Sequence, residues 1–154
     1  MTPSGKPTLA SLSDAETALS SGTALLEDRA REKYTASDLA KPSTFTFTIP
    51  LSASETLGWL YSWCAKDTAT LDQNFKSIQL KFTLDGTDMT RQMYTADVSS
   101  GGQACRLVFA VLSQWPAGEH HLTTTATFTS AINDGTADYP AGDYIMDYTV
   151  YVKP

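Results

Sequence analysis

The chain has 154 residues, enough for one domain with a genuine core and too few for two of ordinary size. Eleven basic against seventeen acidic residues give a net charge of −6 with no cluster of Lys or Arg, which excludes nucleic acid and anionic membrane surfaces as expected partners. The charged fraction of 18% is low and Thr, Ser and Ala fill the gap, a composition that suits an extracellular β-protein better than a cytosolic helical enzyme.

Residues 1–12 are rich in Pro, Ser, Gly and Thr and read as a linker. Met1 to Gly5 offer neither a basic nor an apolar signal region, so the expectation is that an export signal has been removed and that Met1 is an added start. From Ser13 to Tyr34 apolar residues recur at helical spacing, with Ser13 and Glu16 forming a capping box and Gly22 interrupting the pattern. The firmer helix is expected over Thr23 to Tyr34, where Glu27, Asp28, Arg29, Arg31, Glu32 and Lys33 make a solvated charged face.

Beyond Pro42 the period becomes two: Phe45, Phe47 and Ile49 alternate with Thr44, Thr46 and Thr48. Leu57 to Ala65 is apolar enough for a strand covered on both faces, and Asp67 caps a short helical turn through Leu71, Asn74 and Phe75. Ser77 to Leu84 alternates again, Asp85-Gly86 is a strong hairpin signal, and the returning strand is expected over Thr87 to Met93. A short edge strand near Tyr94 to Val98 and a Ser-Ser-Gly-Gly loop lead into Ala104 to Leu112. Two similar turns follow, Trp115-Pro116-Ala117-Gly118-Glu119-His120 and Tyr139-Pro140-Ala141-Gly142-Asp143-Tyr144, each feeding a long strand. The spacing predicts an all-β fold: an antiparallel two-sheet sandwich of seven to eight strands over 42–154, behind a flexible linker and short helix over 1–41. The longest apolar runs are strand-sized, so no transmembrane helix is expected.

Cys64 and Cys105 are the only cysteines, each inside a strand-like run. They are expected to face each other across the core as a disulfide, which places the chain in an oxidising compartment: extracellular, cell-surface or periplasmic. The Trp63-Cys64 strand, the Cys105 strand and the late aromatic-Pro-Ala-Gly turns together resemble bacterial immunoglobulin-like surface domains, over roughly Pro42 to Pro154. The resemblance implies a spacer, adhesion unit or accessory binding module, and no catalytic residues.

Candidate ligand-facing residues are Trp115, placed ahead of a turn, and Tyr139 in the matching position. Trp59, Tyr61 and Trp63 alternate and share a face; a buried layer against the opposite sheet is the reading adopted, with Trp63 in the core, and a sugar-stacking platform is the alternative. Asn133, Asp134, Asp138 and Asp143, with Asp147, concentrate oxygen ligands suited to calcium, although Asn-Asp-Gly is also turn chemistry. His120 and His121 point to opposite faces of a strand and cannot easily share an ion, and a copper site with Met89 and Met93 is the weaker alternative to plain structural roles. The sequence holds no Gly-x-Ser-x-Gly elbow, phosphate-binding glycine loop, His-Glu-x-x-His or Cys-x-x-Cys. The expectation is therefore a non-enzymatic module without cofactor, binding a protein or glycan partner, with a carbohydrate-binding accessory module and a periplasmic metal-binding protein as alternatives.

Overall fold

The computed structural model of the chain describes residues 5–154; the first four residues of the expected linker, Met1 among them, lie outside the described residues. In chain order the elements are β1 (Thr8–Leu9), α1 (Leu12–Ser20), α2 (Leu26–Arg29), α3 (Ala36–Leu39), β2 (Ser43–Ser52), β3 (Leu57–Ala65), α4 (Thr68–Phe75), β4 (Ile78–Leu84) and β5 (Thr87–Asp88). β6 (Tyr94–Ser100), β7 (Gln103–Ser113), β8 (Gly118–Phe128), β9 (Ile132–Asn133), β10 (Asp138–Tyr139) and β11 (Gly142–Lys153) complete the chain. Strands dominate, as the alternating patterns require.

β7 is the centre of one sheet, with β3 along one side and β6 followed by β1 along the other. The second sheet has the order β2-β11-β8-β4-β5, in which β2 and β11 run parallel over ten residue pairs and the other neighbours are antiparallel. Alternation decides which side chains go inward: Phe45, Phe47, Ile49 and Leu51 of β2 are all buried, while the threonines between them are not. Trp59 of β3 meets Phe82 of β4 edge-on at 5.4 Å between ring centres, and its indole N–H donates to the Thr124 hydroxyl of β8 at 2.8 Å. That bond satisfies two polar groups in the layer between the sheets, where leaving either unpaired would cost on the order of 1–3 kcal/mol.

The turns follow the chemistry of their residues. Asp85 and Gly86 both have positive φ, 48° and 81°, the conformation that matches a two-residue hairpin to the strand twist. The returning strand is only Thr87–Asp88 rather than Thr87 to Met93, because the Thr90 hydroxyl accepts from Phe82 N–H and the chain winds into a short 3₁₀ turn. In both aromatic-Pro-Ala-Gly turns the glycine takes positive φ, 115° at Gly118 and 139° at Gly142. In both, the aromatic side chain two residues after that glycine bonds the proline carbonyl: His120 Nε2 to Pro116 O at 2.8 Å and the Tyr144 hydroxyl to Pro140 O at 2.7 Å.

The N-terminal region corrects the expectation of a flexible extension. The helix sits upstream of the predicted one, over Leu12–Ser20, capped by Ser11 rather than Ser13 and ended at Gly22 by paired bonds from Gly22 and Thr23 N–H to Leu19 and Ala18 carbonyls. Its Ala15 packs with Phe109 and Val111 on the outer face of the β7 sheet. Thr23 to Tyr34 holds only the single turn α2, because tertiary bonds outcompete the helical ones. Leu26 and Ala30 are buried in the central core, Arg31 N–H donates to Thr48 O, and Glu32 accepts from both the N–H and the hydroxyl of Thr48. The Tyr34 hydroxyl donates to Thr46 O and accepts from Thr46 N–H. Residues 31–34 thus cap the free side of β2, where Pro50 has no donor to satisfy and Ser52 N–H is taken by Glu55.

The cysteines are bonded, but not across the core. Cys64 and Cys105 are direct cross-strand partners on β3 and β7 within one sheet, with Cα atoms 4.0 Å apart. They lie 41 positions apart in sequence, and closing that loop stabilises the fold by about 4 kcal/mol on the chain-entropy account.

The Tyr148 hydroxyl of β11 donates to Glu27 of α2. Burial raises the Glu27 carboxyl above the ordinary glutamate range, with the Tyr148 bond offsetting part of the effect. A raised carboxyl contributes its stability at low pH and loses it as pH rises through the folded value. Glu27→Gln keeps an acceptor for Tyr148 and removes the ionisation. Urea melts across pH 4 to 8 should show the variant gaining on the parent as pH rises; a constant difference between the two would contradict the burial of this carboxyl.

Candidate functional site

At one margin of the two sheets, Tyr61 and Trp63 on the inner face of β3 stand across from Tyr144 and Met146 of β11. With Phe128, Tyr139, Ser62, and Ala36 and Leu39 of α3, they enclose a groove of about 280 Å3 that contains no charged side chain. α3 is held by its own capping box, in which Thr35 and Asp38 exchange bonds between side chain and backbone, and it buries none of its residues. Leu39, 39% exposed, is therefore presented to the groove mouth rather than to the core.

Aromatic contacts fix the groove wall. Trp63 meets Phe128 edge-on at 5.3 Å and Tyr139 edge-on at 4.8 Å. Its indole N–H donates to Asn74 at 2.9 Å, and the Asn74 amide donates in turn to Asn133 O at 3.0 Å, tying β3 through α4 to the β9–β10 hairpin. The Tyr139 hydroxyl reaches Asp134 at 3.4 Å. Tyr61 is 7% exposed, yet its hydroxyl has no hydrogen-bond partner among the described residues. Burial pushes the Tyr61, Tyr139 and Tyr144 hydroxyls up, so all three remain neutral donors across the physiological range. The groove can take an apolar or aromatic group and offer a hydroxyl to it.

Of the two residues expected to face a ligand, Tyr139 lines the groove and Trp115 does not. Trp115 is 2% exposed, because the turn folds its ring inward against His120, 5.6 Å away. His120 is fully buried, with Nδ1 2.7 Å from Asp85 and Nε2 on Pro116 O, whereas His121 is exposed. Met89 is buried in the core and Met93 packs against it, so neither extends a copper site around His120. Trp59 is the buried layer that the alternation predicts; Trp63, expected in the core, is partly exposed at the groove instead, because β3 is the last strand on its side of the sheet.

The oxygen-rich hairpin is turn chemistry. Asp134 Oδ1 accepts from Thr136 N–H at 2.8 Å, the Thr136 hydroxyl at 2.9 Å and Ala137 N–H at 2.9 Å. Burial raises its carboxyl, but these bonds outweigh it and hold the group below the ordinary aspartate range. Asn133 accepts from Gly135 N–H and donates to Asp138, while Asp143 is engaged by the Thr127 hydroxyl on the neighbouring strand. Among the described residues no group of three or more His, Cys, Asp or Glu is placed to hold a metal ion. Sequence reasoning missed Leu39, Tyr144 and Met146 as groove residues; the recurrence of the aromatic-Pro-Ala-Gly turn was the one signal that pointed toward Tyr144.

No protein-family model matches the chain, and no curated protein matches it. Among solved structures, a chain from the structure of PbICP-C in complex with falcipain-2 is similar with a TM-score of 0.43 and 11% identity, over 74% of this chain and 92% of that one. The Plasmodium falciparum protein Pf12p is similar with a TM-score of 0.35 and 7% identity, over 71% of this chain and 42% of that one. Likenesses this slight carry no argument about what the chain does.

The two tryptophans of β3 separate core from groove. Trp59→Ala should cost about 3–5 kcal/mol, through lost burial and an unpaired Thr124, and Trp63→Ala clearly less. Equilibrium urea melts check the order; an equal or larger loss at Trp63 would place its ring in the core.

Proposed function

We propose that the chain is a non-enzymatic, extracytoplasmic immunoglobulin-like module whose role is to bind a protein partner. The immunoglobulin-like reading is supported by strand order: β3, β7 and β6 share one sheet, while β4, β8, β11 and the parallel β2 share the other, so consecutive strands repeatedly change sheets as in a Greek key. The disulfide supports an oxidising compartment, and no helix is long and apolar enough to cross a membrane among the described residues. Cell surface and periplasm both fit.

The observation that carries the binding role is the uncharged aromatic groove, walled by Trp63 and Tyr139 and left with the free Tyr61 hydroxyl. It has no nucleophile paired with a base and no carboxylate pair, so its chemistry is recognition of an apolar group. The carbohydrate reading uses the same rings, but the polar side-chain groups lining the groove are hydroxyls alone, without the side-chain amides or carboxylates that hold a stacked sugar in place.

Two screens on the purified full chain test the role: a glycan array and selection from a displayed peptide library. The expected result is peptides with large apolar side chains whose binding falls with Tyr139→Ala, and no saturable sugar binding. Saturable sugar binding that Tyr139→Ala abolishes, without peptide enrichment, would replace the protein-binding role with the carbohydrate one.

A further inference from the structure

Gly58, Leu60, Ser62 and Cys64 of β3 point their backbone N–H and C=O groups away from β7. Two bonds establish that parity: Gly58 N–H donates to Ala24 O, and Lys66 N–H donates to Asp134 O, both away from the β7 ladder. The short Cα separation of the Cys64–Cys105 pair agrees, since pairs that do not exchange bonds approach more closely. At one end the chain's own N-terminal segment begins to pair with this edge, through a parallel bridge between Leu25 and Gly58. It then leaves as α2. Between Gly58 and Lys66 the outward peptide groups of Leu60, Ser62 and Cys64 have no hydrogen-bond partner among the described residues.

Exposed edges are ordinarily blunted by charge, proline or cover. β2 is capped by residues 31–34, and β6 carries Asp97, paired with Arg106. The stretch Leu60-Tyr61-Ser62-Trp63-Cys64 has neither charge nor proline. Its inward-facing residues, Tyr61 and Trp63, are the same residues that line the aromatic groove.

We infer that the edge of β3 from Leu60 to Cys64 is a strand-addition site that takes an extended polypeptide with large apolar side chains at alternate positions. The inference rests on the protein-binding role proposed above and specifies how that partner is held. The edge supplies main-chain bonds at Leu60, Ser62 and Cys64, and every second side chain of the added strand falls into the groove beside Tyr61 and Trp63. The continuity with the Leu25–Gly58 bridge favours this occupant: the added strand continues a pairing that the molecule has already begun. The groove's size also favours it, because about 280 Å3 lies at the small end for a whole ligand and suits single side chains of a chain held outside.

The test uses the full chain, isotope-labelled for amide resonances, and a short synthetic peptide alternating threonine with phenylalanine. In the free protein the Leu60, Ser62 and Cys64 amides should exchange faster than those of Tyr61 and Trp63, which face β7. On titration the three outward amides should shift and their exchange should slow. Methylating a single peptide nitrogen that faces β3 should weaken binding about five- to tenfold, the loss of roughly one hydrogen bond. Ser62→Pro removes an outward donor without touching the β7 ladder, and should weaken binding similarly while melting near the parent. The methylated peptide keeps the test decisive on the unaltered protein should that variant misfold. Shifts confined to the Trp63 indole and Tyr139, with the three amides unmoved, would overturn strand addition while leaving a protein-binding groove. No perturbation at millimolar peptide would overturn strand addition too, and sugar binding in its place would overturn the protein-binding role itself.

Discussion

The free side of β2 runs along the rim of the five-stranded sheet, and its peptide groups must find partners or remain a template for another chain. Side chains and backbone from residues 31–34 supply those partners: Tyr34 at Thr46, and Glu32 with Arg31 N–H at Thr48. The Glu32 carboxylate is held below the ordinary glutamate range by those two donations from Thr48, so it stays an acceptor throughout the neutral range. Capping can occur only if the preceding segment is anchored, and burial of Leu26 and Ala30 with the Glu27–Tyr148 bond anchors it. One constraint at a sheet rim thus dictates that the segment from Leu26 onward, ahead of the first long strand, belongs to the folded unit.

The same segment shapes the groove. After capping β2 at Tyr34 the chain makes α3, which faces the groove mouth without entering the core, and then becomes β2 itself. β3, the outermost strand of the other sheet, is held to β7 by its ladder and by the Cys64–Cys105 bridge, so it remains firm although its outer side is open. A laddered strand, an aromatic wall and a short surface helix opposite them are the elements on which the proposed binding role rests.

Much of this was legible in the sequence. Period-two alternation located β2 and β4, Asp85-Gly86 named its hairpin, Asp67 capped α4, and the two aromatic-Pro-Ala-Gly turns announced the later long strands and proved alike down to a bond onto the proline carbonyl. What was not legible depends on contacts between distant positions. Helical spacing over Thr23 to Tyr34 is real, but the pull of an unpaired strand edge on Arg31, Glu32 and Tyr34 is invisible until β2 is placed beside them. Two cysteines in apolar runs announce a bridge without saying whether their strands are opposed or adjacent. Trp115 looks exposed before a turn and Trp63 looks buried within an apolar run; the direction of one turn and the position of β3 at a sheet margin reverse both.

The central claim, that residues before Pro42 complete the β-fold rather than trail from it, is tested most directly by a chain beginning at Lys41. Sedimentation and thermal melting of this chain, beside the parent at several concentrations, read both consequences of an uncapped β2 edge. A lower melting temperature with concentration-dependent self-association is the result the account predicts. A monomer melting at the parent's temperature would contradict it, and would restore residues 42–154 as a self-sufficient domain.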